Sequence, residues 1–165
     1  MALPRPAGGD ERHLPTHDPD LLSARRSAGR IRLILLATDL TAVSDEATGQ
    51  AIDLAASLGA RLLVVNVIDP REQGSALRSR VDQLRADREP GLLEVVERAR
   101  NRGVEATYLL WTGERGQSIV AAGQAEGVDL IVVGTRGLDR AGRFLLGSVS
   151  DHVVYHAACP VLVAR

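Results

Sequence analysis

Residues 129–150 read DLIVVGTRGLDRAGRFLLGSVS: a short apolar run, a loop studded with glycine, and the opening of a helix. An apolar run of this length without polar alternation suits a strand buried on both faces, as in a parallel sheet. Gly134 and Gly137 carry no Cβ, so the chain can turn sharply off that strand and approach a bound molecule closely. Gly147 and Ser148 open the next helix, where unpaired N–H groups and the helix dipole favour an anion. Ser148-x-x-Asp151 also has the form of a capping box, which would make Ser148 an N-cap and nothing more. The residues by themselves leave both readings open.

Working outward, four further runs of the same kind stand at residues 32–38 (RLILLAT), 61–68 (RLLVVNVI), 104–110 (VEATYLL) and 160–164 (PVLVA). Helical periodicity fills the gaps. With Ser44 as N-cap, Ala47, Ala51, Leu54, Ala55 and Leu58 recur at helical spacing and Gly59 closes the segment. Leu77, Val81 and Leu84 form one stripe, Pro90-Gly91 interrupts, and Leu92, Val96 and Ala99 form another that stops at Gly103. Residues 116–126 carry Ile119 and Ala122 and end at Gly127. Val149, Val153 and Ala157 share one face of a last, short helix. Strand and helix thus alternate through repeated βαβ units, which predicts an α/β domain: a doubly wound, five-stranded parallel sheet with helices on both faces. Ligands of such sheets bind outside the carboxyl ends of the strands, so the loops after Thr38, Ile68, Leu110 and Gly134 are the ones to search.

Composition narrows the chemistry. The 165 residues carry a formal charge of −1, against the basic stripe of a nucleic-acid binder. Aromatic residues make up 2%, so the core is aliphatic. All 20 basic residues are arginine, which excludes a P-loop, whose lysine reaches the terminal phosphates, and Schiff-base chemistry. Cys159, the single cysteine, has no internal partner and reads as a structural thiol in a reducing, cytoplasmic setting. No run approaches the roughly 18 to 20 apolar residues that span a bilayer, and no membrane association is expected. Residues 1–30 hold four prolines without periodicity and read as a flexible tail before a domain of residues 31–165. His13 and His17 in that tail make no metal site. His152-x-x-x-His156 lacks both the glutamate of H-E-x-x-H and a third ligand, so no metal is expected there. The loop 113–116 reads as a plain turn, because Glu114 would repel a phosphate, with Trp111 a packing residue at its rim.

Gly134-x-x-Gly137, nine residues, then Gly147-Ser148 resembles the ATP motif G-x-x-G-(nine residues)-G-[ST] of the universal stress protein (UspA) family, in its nucleotide-binding branch. DLIVVGTRG, FLLGSVSDHVV and the terminal CPVLVAR extend the likeness over residues 31–165. The resemblance implies the adenine nucleotide alpha hydrolase-like fold and ATP, with Mg²⁺, as ligand. It puts Ala37, Thr38 and Asp39 at adenine and ribose, and Val67 with Ile68 at the adenine pocket. Gly134, Thr135, Arg136, Gly137 and Gly147 would wrap ribose and phosphates, with Ser148, Val149 and Ser150 at the phosphate end. Arg136, Arg140 and Arg143 outnumber Asp139 in the variable stretch, and either pair with phosphates or are solvated. The implied role is a nucleotide-dependent regulatory module of the stress response, homodimeric through the C-terminal strand, whose downstream protein partner the sequence does not name. The alternatives are a dimeric interaction protein that ignores nucleotide, or slow ATP hydrolysis. No catalytic residue is assigned, since the loop ATDLTAVS offers only Asp39 and nothing else to orient water.

Overall fold

The computed structural model describes residues 30–69, 77–135 and 147–164, with the backbone alone for 77–80. The expected tail, and with it Arg136, Gly137, Asp139, Arg140, Gly142 and Arg143, lies outside the described residues. Strand and helix alternate as β1 (Leu33–Ala37), α1 (Ala42–Leu58), β2 (Arg61–Ile68), α2 (Leu77–Asn101), β3 (Ala106–Thr112), α3 (Arg115–Glu126), β4 (Leu130–Gly134), α4 (Ser148–His156) and β5 (Val161–Ala164). All strand pairs are parallel, in the order β3-β2-β1-β4-β5. This is the expected doubly wound sheet. Its order reverses beside β1: the chain builds outward through β2 and β3, then crosses to β4 and β5.

The aliphatic runs form these strands because each is covered twice. Ile34, Leu36, Leu62, Val64 and Val132 face α1 and α2, packing on Ala47, Ala51, Leu92 and Val96. Leu35, Leu63, Val65, Val67, Ile131 and Val133 face α3 and α4, packing on Ile119, Ala122 and Val153. In β1 and β4, apolar on both faces, hydrophobic pattern alone does not pin the register, since a slip by one residue exposes nothing polar to the core. A polar clamp does it instead: Asp129 Oδ2 accepts from Arg32 N at 2.8 Å and Leu33 N at 3.0 Å, aligning the start of β1 with that of β4.

Three local expectations need correction. Ser44 is not the cap of α1; Thr41, in extended conformation, is, and Ser44 lies in the first turn. Pro90 and Gly91 do not divide α2, which continues through them as one 25-residue helix. Proline removes the bond to the Ala86 carbonyl, but Ala86 and Pro90 are exposed to water, and the buried Leu92, Val95, Val96 and Ala99 hold the helix to the sheet. Finally, β3 runs later than its apolar run suggests. Val104 N bonds to Ala99 O at 3.0 Å, so Val104 belongs to the turn closing α2, and Trp111 falls within the strand. Gly59 and Gly127, by contrast, end α1 and α3 as read, each in the left-handed conformation that favours glycine.

Candidate functional site

The carboxyl ends of β1, β2 and β4 and the first turns of α1, α3 and α4 enclose a cleft at the point where strand order reverses. It holds about 680 Å³ between protein atoms, its open mouth included. Of the residues singled out in the sequence, Ala37, Thr38, Asp39, Val67, Gly134, Thr135, Gly147, Val149 and Ser150 line it. Ile68 does not: it follows Val67 on the strand and is buried on the opposite face of β2. Ser148 is exposed and also outside the lining. The sequence reading missed Ser44, Asn66, Arg115 and Ile119, which arrive at the cleft from three different elements.

The loop leaving β1 is built from its own short side chains. Thr38 N extends the ladder to Val65 O at 3.0 Å. Its Oγ1 accepts from Leu40 N at 3.1 Å and lies 3.0 Å from Ser44 Oγ, which donates to Thr41 O. Asp39 Oδ1 accepts from Thr41 N at 3.1 Å and Thr41 Oγ1 at 2.7 Å. Together these bonds hold Leu40 at φ +62°, a left-handed conformation that costs a side-chain-bearing residue roughly 1–2 kcal/mol. Behind the loop stands Asn66, 1% exposed. Its Nδ2 donates to Thr38 O at 2.8 Å and its Oδ1 accepts from Arg88 Nη1 at 2.9 Å, tying the rim of the cleft to α2.

The two helices that open beside the cleft differ at their N-termini. Glu114 caps α3, its carboxylate accepting from Gly116 N at 3.0 Å and Gln117 N at 2.8 Å. That places a negative charge on the positive end of the helix dipole and occupies its donors. The turn expected at 113–116 is therefore a capped helix start. At α4 the N-cap is Gly147, not Ser148, and no side chain caps it. The capping box with Asp151 does not form, since Asp151 N instead makes the first helical bond, to Gly147 O at 2.9 Å. Of the helix starts that line the cleft, those of α1 and α4 carry no side-chain cap, and a cleft-bound anion would complete that of α4.

The two helix starts are packed with no space to spare. A Cβ on Gly116 would lie 2.8 Å from the His152 ring. Gly116→Ala is expected to cost about 1–3 kcal/mol through this overlap, read as a lower denaturation midpoint, and adding His152→Ala, which removes the ring but keeps the Cβ 2.9 Å away, should recover only part of the loss. Equal destabilisation with and without His152 would place the strain elsewhere.

The model of the universal stress protein family matches residues 30–165. The chain belongs to the universal stress protein family. It is 35% identical over 138 residues to a putative universal stress protein of Staphylococcus haemolyticus, covering 80% of this chain and 83% of that one. Its fold matches that of the universal stress protein UspA from Lactobacillus plantarum, with TM-score 0.73 and 23% identity over 82% of this chain and 99% of the other. A universal stress protein solved in complex with cAMP matches with TM-score 0.65 and 25% identity over 82% of this chain and 98% of the other. The architecture is the adenine nucleotide alpha hydrolase-like fold.

Groups whose types suggest other chemistry have structural roles in this universal stress protein. Cys159 is half-buried against the α3–α4 core face. Burial pushes its thiol pKa up and Asp129 adds to the rise, outweighing hydrogen bonds from the backbone of Cys159 and Ile131, so the thiol stays protonated and a poor nucleophile. His152 and His156 lie with ring centroids 4.3 Å apart, and the His152 ring packs over Gly116. Among the described residues, no cluster of three or more His, Cys, Asp or Glu is arranged to hold a metal, and no helix is long and apolar enough to cross a membrane.

Proposed function

We propose that this universal stress protein binds ATP in the cleft beside β1 and acts as a nucleotide-dependent regulatory module. The observation that carries the proposal is the cleft's division into two ends of opposite character. Val65, Val67 and Ile119 supply an apolar wall for a base; the N-terminus of α4, which no side chain caps, supplies donors for phosphates. Thr38 and Asp39, which also line the cleft, are the proposed partners for ribose hydroxyls. Gly147 has φ −63° and ψ 155°, backbone that any residue adopts, and a Cβ on Gly134 would make only ordinary contact with Ala47 at 3.5 Å. Backbone conformation does not demand glycine at 147, nor does packing at 134, and both fit a need for close approach by a ligand. The cAMP complex of the neighbouring family member supports an adenine nucleotide as that ligand. Mg²⁺ would enter as counter-ion of the triphosphate, and Arg136 and Gly137 would complete the phosphate end. The role is binding rather than turnover, because the one carboxylate among the described lining residues, Asp39, is engaged in holding its own turn.

Binding to the folded state raises stability by mass action. At ATP about 100 times its Kd the gain is about 2.7 kcal/mol, a rise in Tm of roughly 5–10 °C for a chain of this size. Melting curves with and without Mg²⁺–ATP test this. An unchanged Tm at millimolar ATP would favour the nucleotide-independent interaction protein instead.

The proposal includes a homodimer through β5. This strand ends the sheet, presenting backbone groups to a second copy, and Leu162 on it is exposed together with Tyr155 on α4. Sedimentation at micromolar concentration should give a dimer, and a monomer there would contradict the assembly.

A further inference from the structure

We propose that Arg115 is a base-contacting residue: its guanidinium lies against the purine ring and sets the affinity of the cleft for the nucleoside, independently of the phosphates. This rests on the nucleotide reading above and extends it to a residue that the glycine motif does not contain. Arg115 is the first residue of α3, half-buried, and lines the cleft. Ile119 follows four residues later on the same helix face and is buried in the cluster with Val65 and Val67. Arg115 therefore stands one turn before the apolar wall on the same helix face, and the anion-binding donors belong to the start of α4.

Two further features favour the ring over the phosphates. No residue described in the lining is aromatic, so none of the described residues offers an aromatic platform on which a base can stack. A planar, weakly hydrated guanidinium supplies one. A cation in the first turn of a helix is also opposed by the dipole; the Glu114 carboxylate on Gly116 N and Gln117 N offsets that opposition, so the position tolerates an arginine whose side chain serves the cleft.

The test is calorimetric titration of adenosine, AMP and ATP into the unaltered chain, Arg115→Met and Arg115→Lys, with the melting of each ligand-free variant as folding control. Arg115→Met is expected to weaken all three ligands by the same factor, roughly 3- to 30-fold, the worth of a cation–π contact at a partly desolvated site. Arg115→Lys, which keeps the charge and loses the plane, should restore less than half of that in free energy for each ligand. A loss that grows from adenosine to ATP, or an ATP affinity fully restored by lysine, would overturn the proposal and make Arg115 a phosphate partner. A change of less than about twofold for all three would also overturn it. If the unaltered chain binds none of the three, the nucleotide reading itself fails, and that result appears before any substitution is made.

Discussion

Gly147→Asp is expected to abolish ATP binding while leaving the protein as stable as before or slightly more so. Position 147 is the N-cap of α4, and glycine there provides no side-chain acceptor. Aspartate is a better cap than glycine by a few tenths of a kcal/mol, and its charge gains from the helix dipole. Its carboxylate would settle on the N–H groups of the first turn, as Glu114 already does on α3. The same change fills the seat assigned to phosphate and sets a like charge beside it. Two unit charges about 4 Å apart interact by about 4 kcal/mol near a protein surface, so Kd should rise at least 100-fold. Gly147→Asn adds the cap without the charge and should cost less, separating repulsion from occupancy. Retained affinity in Gly147→Asp would mean that the phosphates bind away from α4.

Asn66→Leu should lower both stability and nucleotide affinity. The side chain is buried and both ends of its amide are used, one on the Thr38 carbonyl and one on Arg88. Leucine has similar volume but leaves that carbonyl without its amide donor, at about 1–3 kcal/mol, and removes the acceptor that orients Arg88. The fall in Tm should be roughly 2–12 °C for a chain of this size. Because Thr38 lines the cleft, nucleotide affinity should fall as well. Asn66→Asp restores an acceptor for Arg88 but no donor for Thr38 O, so it should fall between the two. An unchanged Tm in Asn66→Leu would show that the buried amide does not hold the rim.

The strands were legible because aliphatic runs buried on both faces look alike wherever they occur, and the alternation with helices leaves one architecture. Local rules failed where packing outweighed them. Pro90 and Gly91 read as a break, yet α2 is held to the sheet beyond them, and Gly91 accommodates the Leu40 side chain, which lies 3.1 Å from where a Cβ would sit. The cleft was half legible. Thr38, Asp39, Gly134 and Gly147 follow strand ends or open a helix, so position in the chain pointed to them. Asn66 left one usable signal, a lone amide inside the apolar run RLLVVNVI near a strand's carboxyl end, but its partners, 28 and 22 residues away, meet it only in the fold. Arg115 was obscured by its neighbour: Glu114 read as repelling phosphate, whereas its carboxylate turns back onto its own helix. The cap of α4 was misplaced by one residue because a serine at position 148 is the better N-cap by type, and the type of residue does not reveal which one ends the extended segment.

The central claim is that one adenine nucleotide occupies the cleft beside β1. Calorimetric titration of Mg²⁺–ATP into the chain, beside Gly147→Asp, tests it most directly. The expected result is saturable binding of one ATP per chain, lost in the variant at unchanged Tm. No saturable heat at millimolar ATP, or equal binding by Gly147→Asp, would contradict it.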